Sequence, residues 1–207
     1  MLAASDPEAL PTAAAALAAG RIVGLPTETV YGLAVLPLAE PLAAVIAAKR
    51  RPPDKGIALL LDDIDQVSGL VVVPAVAREL ASRFWPGPLT LVLPLREGVA
   101  LPDSLTGATG CLGVRVPDHP VPRALARRLG PLAVTSANVS GRPEATTAGE
   151  LLASVGASLA VVIDAGPIAG GGIASSVVSV GRDGSLTLLR SGAVDIAALR
   201  SSGAEPS

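Results

Sequence analysis

The sequence predicts one α/β domain, a twisted sheet of mixed parallel and antiparallel strands with flanking helices. Three observations lead there. Short apolar runs bounded by Gly and Pro alternate with alanine-rich stretches of helical period. Several apolar runs follow one another with no helix between them, which calls for antiparallel neighbours as well as parallel ones. No internal repeat, heptad run or compositional shift marks a linker, so the domain is expected over residues 1–200, with 201–207 a frayed tail.

Taken in order, Thr12 to Ala19 reads as a helix with Thr12 as N-cap and Gly20 as its stop. Arg21 to Leu25 is a buried strand ended by Pro26, and Thr29 to Val35 starts a short helix. Pro41 to Arg50 is a helix with Leu42, Val45 and Ile46 on one face, ended by Pro52-Pro53. Ile57 to Leu61 is a strand buried on both faces, and Asp62 to Gly69 a short acidic helix. Pro74 opens a helix through Phe84 before the breaker Trp85-Pro-Gly-Pro88 and the strand Leu89 to Leu93. Strand Leu112 to Val116, helix Val121 to Leu129 and strand Leu132 to Thr135 lead into the polar turn Ser136-Ala-Asn138. Helix Ala148 to Val155, strands Leu159 to Ile163, Ser176 to Val180 and Ser185 to Arg190, and a short last helix complete the order.

Composition removes whole classes of function. Half of the 207 residues are hydrophobic and mean hydropathy is +0.56. The longest charge-free stretch, Ala165 to Gly181, holds Pro167 and five glycines, which a spanning helix would not tolerate. Alanine raises the hydropathy, and a protein without a membrane partner is expected. The first basic residue is Arg21, against a secretory leader, and one cysteine, Cys111, allows no internal disulfide; a cytoplasmic location follows as the expectation. One histidine, His119, and one cysteine exclude the usual histidine and cysteine metal sites; a metal site would have to be carboxylate-based, and no protein-held metal is expected. A net charge of −2 and three aromatics (Tyr31, Phe84, Trp85) argue against a strongly basic or base-stacking nucleic-acid module.

There is no G-x-x-x-x-G-K-[ST] loop, and Gly170-Gly-Gly172 precedes a strand rather than a helix, unlike a dinucleotide fingerprint. His119 lies between Asp118 and Pro120 and reads as a residue at the start of a helix, not as a base. What remains are polar residues at strand ends. Pro26-Thr-Glu-Thr29 offers hydroxyls and amide N–H groups for an anion, or ordinary N-capping by Thr27 or Thr29. Of sixteen basic residues only two are lysines, and both fall in Lys49-Arg-Arg-Pro-Pro-Asp-Lys55, a turn suited to a polyphosphate. Arg115 interrupts a strand and needs a carboxylate from the protein or from a ligand. Ser136, Asn138 and Ser175-Ser176 add uncharged donors at strand ends, while Arg123, Arg127 and Arg128 form the solvent face of a helix. Such a site holds a phosphate-bearing ligand and a small carboxylate, and acts by positioning and charge stabilisation.

Six segments in this order resemble the YrdC-like family of threonylcarbamoyl-AMP synthases, from about Arg21 to Arg190. They are Leu25-Pro-Thr-Glu-Thr-Val-Tyr-Gly-Leu33, Lys49-x-Arg51-Pro with Lys55, Phe84-Trp-Pro-Gly-Pro-Leu-Thr90, Val114-Arg-Val-Pro117, Thr135-Ser-Ala-Asn-Val-Ser-Gly141 and Leu189-Arg-Ser-Gly192. The resemblance implies an open YrdC-like fold with a concave basic cavity. It implies condensation of L-threonine, bicarbonate and ATP to threonylcarbamoyl-AMP and pyrophosphate, with Mg²⁺ carried by the nucleotide. The product would pass to a tRNA threonylcarbamoyl-transfer complex. By position, Lys49, Arg51 and Lys55 would hold the phosphates, Lys49 and Arg51 as the catalytic pair. Ser136, Asn138 and Arg190 would complete the ATP site, and Thr27, Arg115 and Ser175 would orient threonine. Leu60, Val134 and Ser179 stand where other members carry a histidine, a hydroxyl residue and an acid. The competing expectation is an RNA-binding or ribosome-maturation module of the same fold, with weak RNA binding and no adenylate chemistry.

Overall fold

The computed structural model describes residues 1–52, 55–169 and 172–195. Among them, ten strands form one sheet in the order β1-β8-β2-β3-β7-β4-β6-β5-β9-β10. The strands are β1 (Leu2–Ala3), β2 (Ile22–Leu25), β3 (Gly32–Val35), β4 (Ala58–Leu60), β5 (Leu89–Pro94), β6 (Cys111–Arg115), β7 (Leu132–Ser136), β8 (Leu159–Asp164), β9 (Ser176–Val180) and β10 (Leu186–Arg190). The helices are α1 (Ala9–Ala18), α2 (Ala39–Lys49), α3 (Ala75–Phe84), α4 (Asp103–Thr106), α5 (Pro120–Leu129) and α6 (Ala148–Val155). Parallel pairs (β1/β8, β2/β8, β4/β6, β5/β9) mix with antiparallel ones (β2/β3, β3/β7, β4/β7, β5/β6, β9/β10), as the apolar runs predict. No helix of the described residues is long and apolar enough to cross a membrane.

Three elements differ from the sequence reading. Helix α1 begins at Ala9 rather than Thr12, and Thr12 donates its N–H to Glu8 as the first helical bond. Pro11 is tolerated because it sits in the first turn, where its missing N–H would have had no helical partner. The segment expected as a helix over Thr29 to Val35 is a tight turn followed by β3. Gly32 pairs with Leu25 on one side and Ser136 on the other. Two flanking strands outweigh the local pattern of a four-residue apolar run. Over Asp62 to Gly69 only a 3-10 turn, Ile64–Val67, forms, capped by the Asp63 carboxylate. The expected last helix and the tail from Ser201 lie largely or wholly outside the described residues; Gly192 to Asp195 carry no helix.

Period-two alternation sends strand residues to two sides. Leu33, Val35, Leu59, Leu61, Leu89, Leu91, Leu93, Leu112, Val114 and Ala133 join one core, which also holds buried residues of α2, α3 and α6. Their neighbours Val23, Leu25, Ala34 and Leu132 face the opposite side, where Ala9, Ala13 and Leu17 of α1 and Val121 and Leu125 of α5 bury them. Further along that second face the strands carry Gly32, Ala58, Thr90 and Gly113, and there the sheet opens into a cavity instead of a core.

Candidate active site

The cavity has a volume of about 350 Å³, within the range of small-molecule sites. Its floor is the sheet face of β3 to β7, β4, β6, β5 and β9. Small residues make the concavity: a Cβ on Gly32 would lie 2.7 Å from Val134, and one on Gly113 3.3 Å from Ala58. Of the expected site residues, Thr27, Arg51, Arg115, Ser136, Ser175 and Arg190 line this one cavity. Strand ends far apart in the chain are brought together by the sheet order.

Thr27 sits in the turn between β2 and β3, buried. Its hydroxyl accepts the N–H groups of Thr29 and Val30 at 3.2 Å and donates to the Val30 carbonyl at 2.7 Å. That side chain replaces the helix expected after Pro26 with a closed loop. Thr29 in turn accepts from both terminal nitrogens of Arg115 at 3.2 Å.

Arg115 ends β6 and is buried. The Arg115 Nη2 meets Glu28 Oε1 at 2.6 Å, and Nε donates to the Gly87 carbonyl at 3.0 Å. The carboxylate that a strand arginine needs thus comes from the protein. Of the five N–H donors of a guanidinium, one on Nη1 has no acceptor among the described residues. Burial lowers the Arg115 pKa, Glu28 opposes that shift, and the nearby charge of Arg190 adds to it. Arg190 leaves β10 to donate from Nε and Nη2 to the Ser175 carbonyl, at 3.1 and 2.8 Å, and from Nη2 to the Ser175 hydroxyl at 3.1 Å. Ser175 Oγ also lies 2.8 Å from Thr90 Oγ1, so its position is set from two sides.

The basic turn divides. Helix α2 ends at Lys49, and Arg50 takes a left-handed conformation (φ 51°), which turns the chain sharply. Arg51 then reaches the cavity wall, donating to Thr135 Oγ1 at 3.2 Å, the Gly56 carbonyl at 2.8 Å and the Lys55 carbonyl at 3.0 Å. Lys49 does not border the cavity as expected: its side chain is 1% exposed. Its ammonium donates to the carbonyls of Ser136 and Asn138 and to Asn138 Oδ1. Burial lowers the Lys49 pKa from 10.5 to about 8, with Arg51 lowering it further and Glu144 raising it. Asn138 is likewise turned inward. Its Oδ1 accepts from Ser136 Oγ at 2.7 Å and its amide donates to the Arg142 carbonyl at 2.5 Å. Lys55 is exposed and meets Arg51 through its main-chain carbonyl. So Lys49 and Asn138 build the turn on which Ser136 is presented, rather than the cavity surface.

Sequence reasoning missed the floor residues Gly32, Ala58, Thr90 and Gly113, and also Glu28 and Glu144. His119 caps α5: its Nδ1 accepts the Val121 N–H at 3.2 Å, and burial lowers its pKa against the opposing charges of Glu28 and Asp118. Arg123 and Arg127 pair with Asp62 at 3.1 and 2.8 Å, which depresses the Asp62 pKa and occupies two of the three arginines of that helix.

Residues 15–192 match the family of Sua5, YciO and YrdC, described as telomere recombination. The chain belongs to that family. A threonylcarbamoyl-AMP synthase of Bacillus subtilis is 38% identical over 185 residues, covering 88% of this chain and 53% of its own length. One from Methylococcus capsulatus is 46% identical over 138 residues, 65% of this chain and 73% of the relative. Among solved structures, Pyrococcus abyssi Sua5 complexed with L-threonine has a TM-score of 0.83 and 34% identity, covering 92% of this chain and 56% of that one. Escherichia coli YciO, at 22% identity and a TM-score of 0.81, shares the fold over 92% of both chains. The chain spans about half the length of the Bacillus and Pyrococcus relatives.

Proposed function

We propose that this Sua5–YciO–YrdC domain is an L-threonylcarbamoyladenylate synthase, condensing L-threonine, bicarbonate and ATP. The observation that carries the reading is the convergence of Arg51, Arg115 and Arg190 with Thr27, Ser136 and Ser175 on one cavity. Three guanidinium groups suit two anionic substrates, and the hydroxyls suit the polar groups of an amino acid. Names of relatives in the same family, and the threonine in the Pyrococcus structure, support the substrate class.

In this scheme the threonine amine adds to bicarbonate with loss of water, giving a carbamate. A carbamate oxygen attacks the α-phosphorus and pyrophosphate leaves, so that adenylate and pyrophosphate are the products. Arg115 directs its spare Nη1 N–H to the threonine carboxylate, while Ser175 and Thr27 orient the amino acid. Arg51 and Arg190 face the triphosphate, with Ser136 held beside it on the turn that Lys49 and Asn138 brace. The cation carried by the nucleotide offsets charge on the departing pyrophosphate. No residue here is asked to be a strong base; fixed charges supply the stabilisation. A tRNA threonylcarbamoyl-transfer complex consumes the adenylate.

Purified protein is expected to release pyrophosphate from ATP only when threonine and bicarbonate are both present. Release that ignores threonine, or none with all three, overturns the assignment.

A further inference from the structure

Glu144 has no part in the scheme above, yet it is the sole carboxylate among the described residues lining the cavity. It lies on the loop between β7 and α6, half-buried, and it shares with Arg51 the neighbour Lys49, whose ammonium donates to the Ser136 carbonyl. It is electrically coupled to Lys49. Arg115 and Ser175 reach the cavity from other strands. A carboxylate placed beside a triphosphate repels it, unless a cation lies between the two.

The donor set is informative about which cation. No group of three or more His, Cys, Asp or Glu residues that could hold a metal is found among the described residues. The protein alone therefore offers too few ligands for a resident ion. Mg²⁺ asks for less: it keeps several waters and is held by one or two carboxylates together with substrate phosphates. One carboxylate on the phosphate side of an otherwise basic cavity fits that requirement.

The geometry points to Glu144 as the protein's own ligand to the divalent cation that enters with the nucleotide. This rests on the nucleotide reading of the cavity. Its consequence is reciprocal: Mg²⁺ and ATP each tighten the binding of the other, and neither the metal alone nor the metal-free nucleotide binds as well. Metal-free ATP meets an uncompensated negative charge at Glu144, which gives the cavity a preference for the metal-loaded form.

The test is calorimetric titration of ATP into the full chain, in EDTA and in excess Mg²⁺, with Glu144→Gln beside it. A half-buried loop residue is replaceable without loss of the fold. The native protein is expected to bind ATP about tenfold more tightly with Mg²⁺. In Glu144→Gln, metal-free ATP binds at least as well as in the native chain, and the advantage of Mg²⁺ shrinks to about twofold. Threonine binding stays unchanged. An unaltered Mg²⁺ advantage in the variant overturns the inference, as does a loss of threonine binding with that advantage intact. If the native protein binds no ATP under either condition, the nucleotide reading itself fails, a result distinct from both.

Discussion

Lys49 and Arg51 sit two residues apart on one basic turn, yet one is sealed beneath the site and the other borders it. The residue between them makes the difference. Arg50 in the left-handed conformation ends α2 and rotates the chain, so that position 49 continues toward the turn after β7 while position 51 crosses to the cavity wall. Two cations that look equivalent in the sequence therefore do different work. Lys49 is a brace with three oxygen acceptors for its three N–H donors. Arg51 is anchored to carbonyls and a hydroxyl and keeps its charge at the cavity surface.

Replacing each cation in turn separates the two roles. Arg51→Ala is expected to weaken ATP binding roughly 100-fold while costing about 1 kcal/mol of stability. Lys49→Met should cost about 3 kcal/mol, because buried carbonyls lose their donor, and should lower the thermal midpoint well before any effect on nucleotide is isolated. Calorimetric melting and ATP titration on both variants give the answer. A Lys49→Met protein with an unchanged midpoint but no ATP binding would make Lys49 a ligand after all.

Glu28 and Arg115 extend the comparison to the side of the cavity proposed for threonine. Glu28 Oε2 is buried and has no hydrogen-bond partner among the described residues, so there the ion pair is held by one oxygen. Glu28→Gln keeps that bond and removes the charge, leaving the Arg115 guanidinium uncompensated at a cost of about 2 kcal/mol. A substrate carboxylate then becomes its counter-ion. Added threonine should raise the melting midpoint further in Glu28→Gln than in the native protein. Equal shifts would place the threonine carboxylate elsewhere.

The smallest effect concerns pH. With its pKa near 8 in the fold and 10.5 when unfolded, Lys49 holds its proton longer in the unfolded chain. Between those values the unfolded state binds more protons, so the contribution of this residue to stability rises with pH. The brace behaves in the opposite way, since a neutral amine has two N–H donors for three acceptors. From pH 7 to 9, ATP affinity should fall about threefold to tenfold while the contribution of Lys49 to the melting midpoint rises, a divergence that Lys49→Arg abolishes. Parallel decline of both quantities in native and variant proteins would assign the titration to another group.

What could be read in advance follows the same division. Strands β2 and β4 to β10 and helices α2, α3, α5 and α6 lie within a few residues of where periodicity, Pro and Gly place them. The run before Val35 misleads because its strand is fixed by pairing on both edges, with β2 just before it and with β7 about a hundred residues on. Elements as short as β1 and α4 leave no periodic signal. In the site, rare charges on an apolar background were visible, and so was the need of Arg115 for a carboxylate. That Glu28 supplies it, and that Lys49 turns inward, depends on packing between distant segments. Gly32, Ala58, Thr90 and Gly113 form a floor only once the strand registers are known, although small residues at alternate strand positions were the trace they left.

The sheet order has a consequence in time. The cavity wall begins with Thr27 and is completed by Arg190, because β9 pairs with β5 rather than with β8, made just before it, and β10 then adds to β9 at the far edge. At a synthesis rate of 5–20 residues per second, roughly ten to thirty seconds separate the emergence of those two residues from the ribosome. Arg115, the partner of Glu28, emerges only about midway through that interval. A nascent chain short of β10 carries the basic turn and the loop closed by Thr27 but lacks Arg190, the group that fixes Ser175 from its second side.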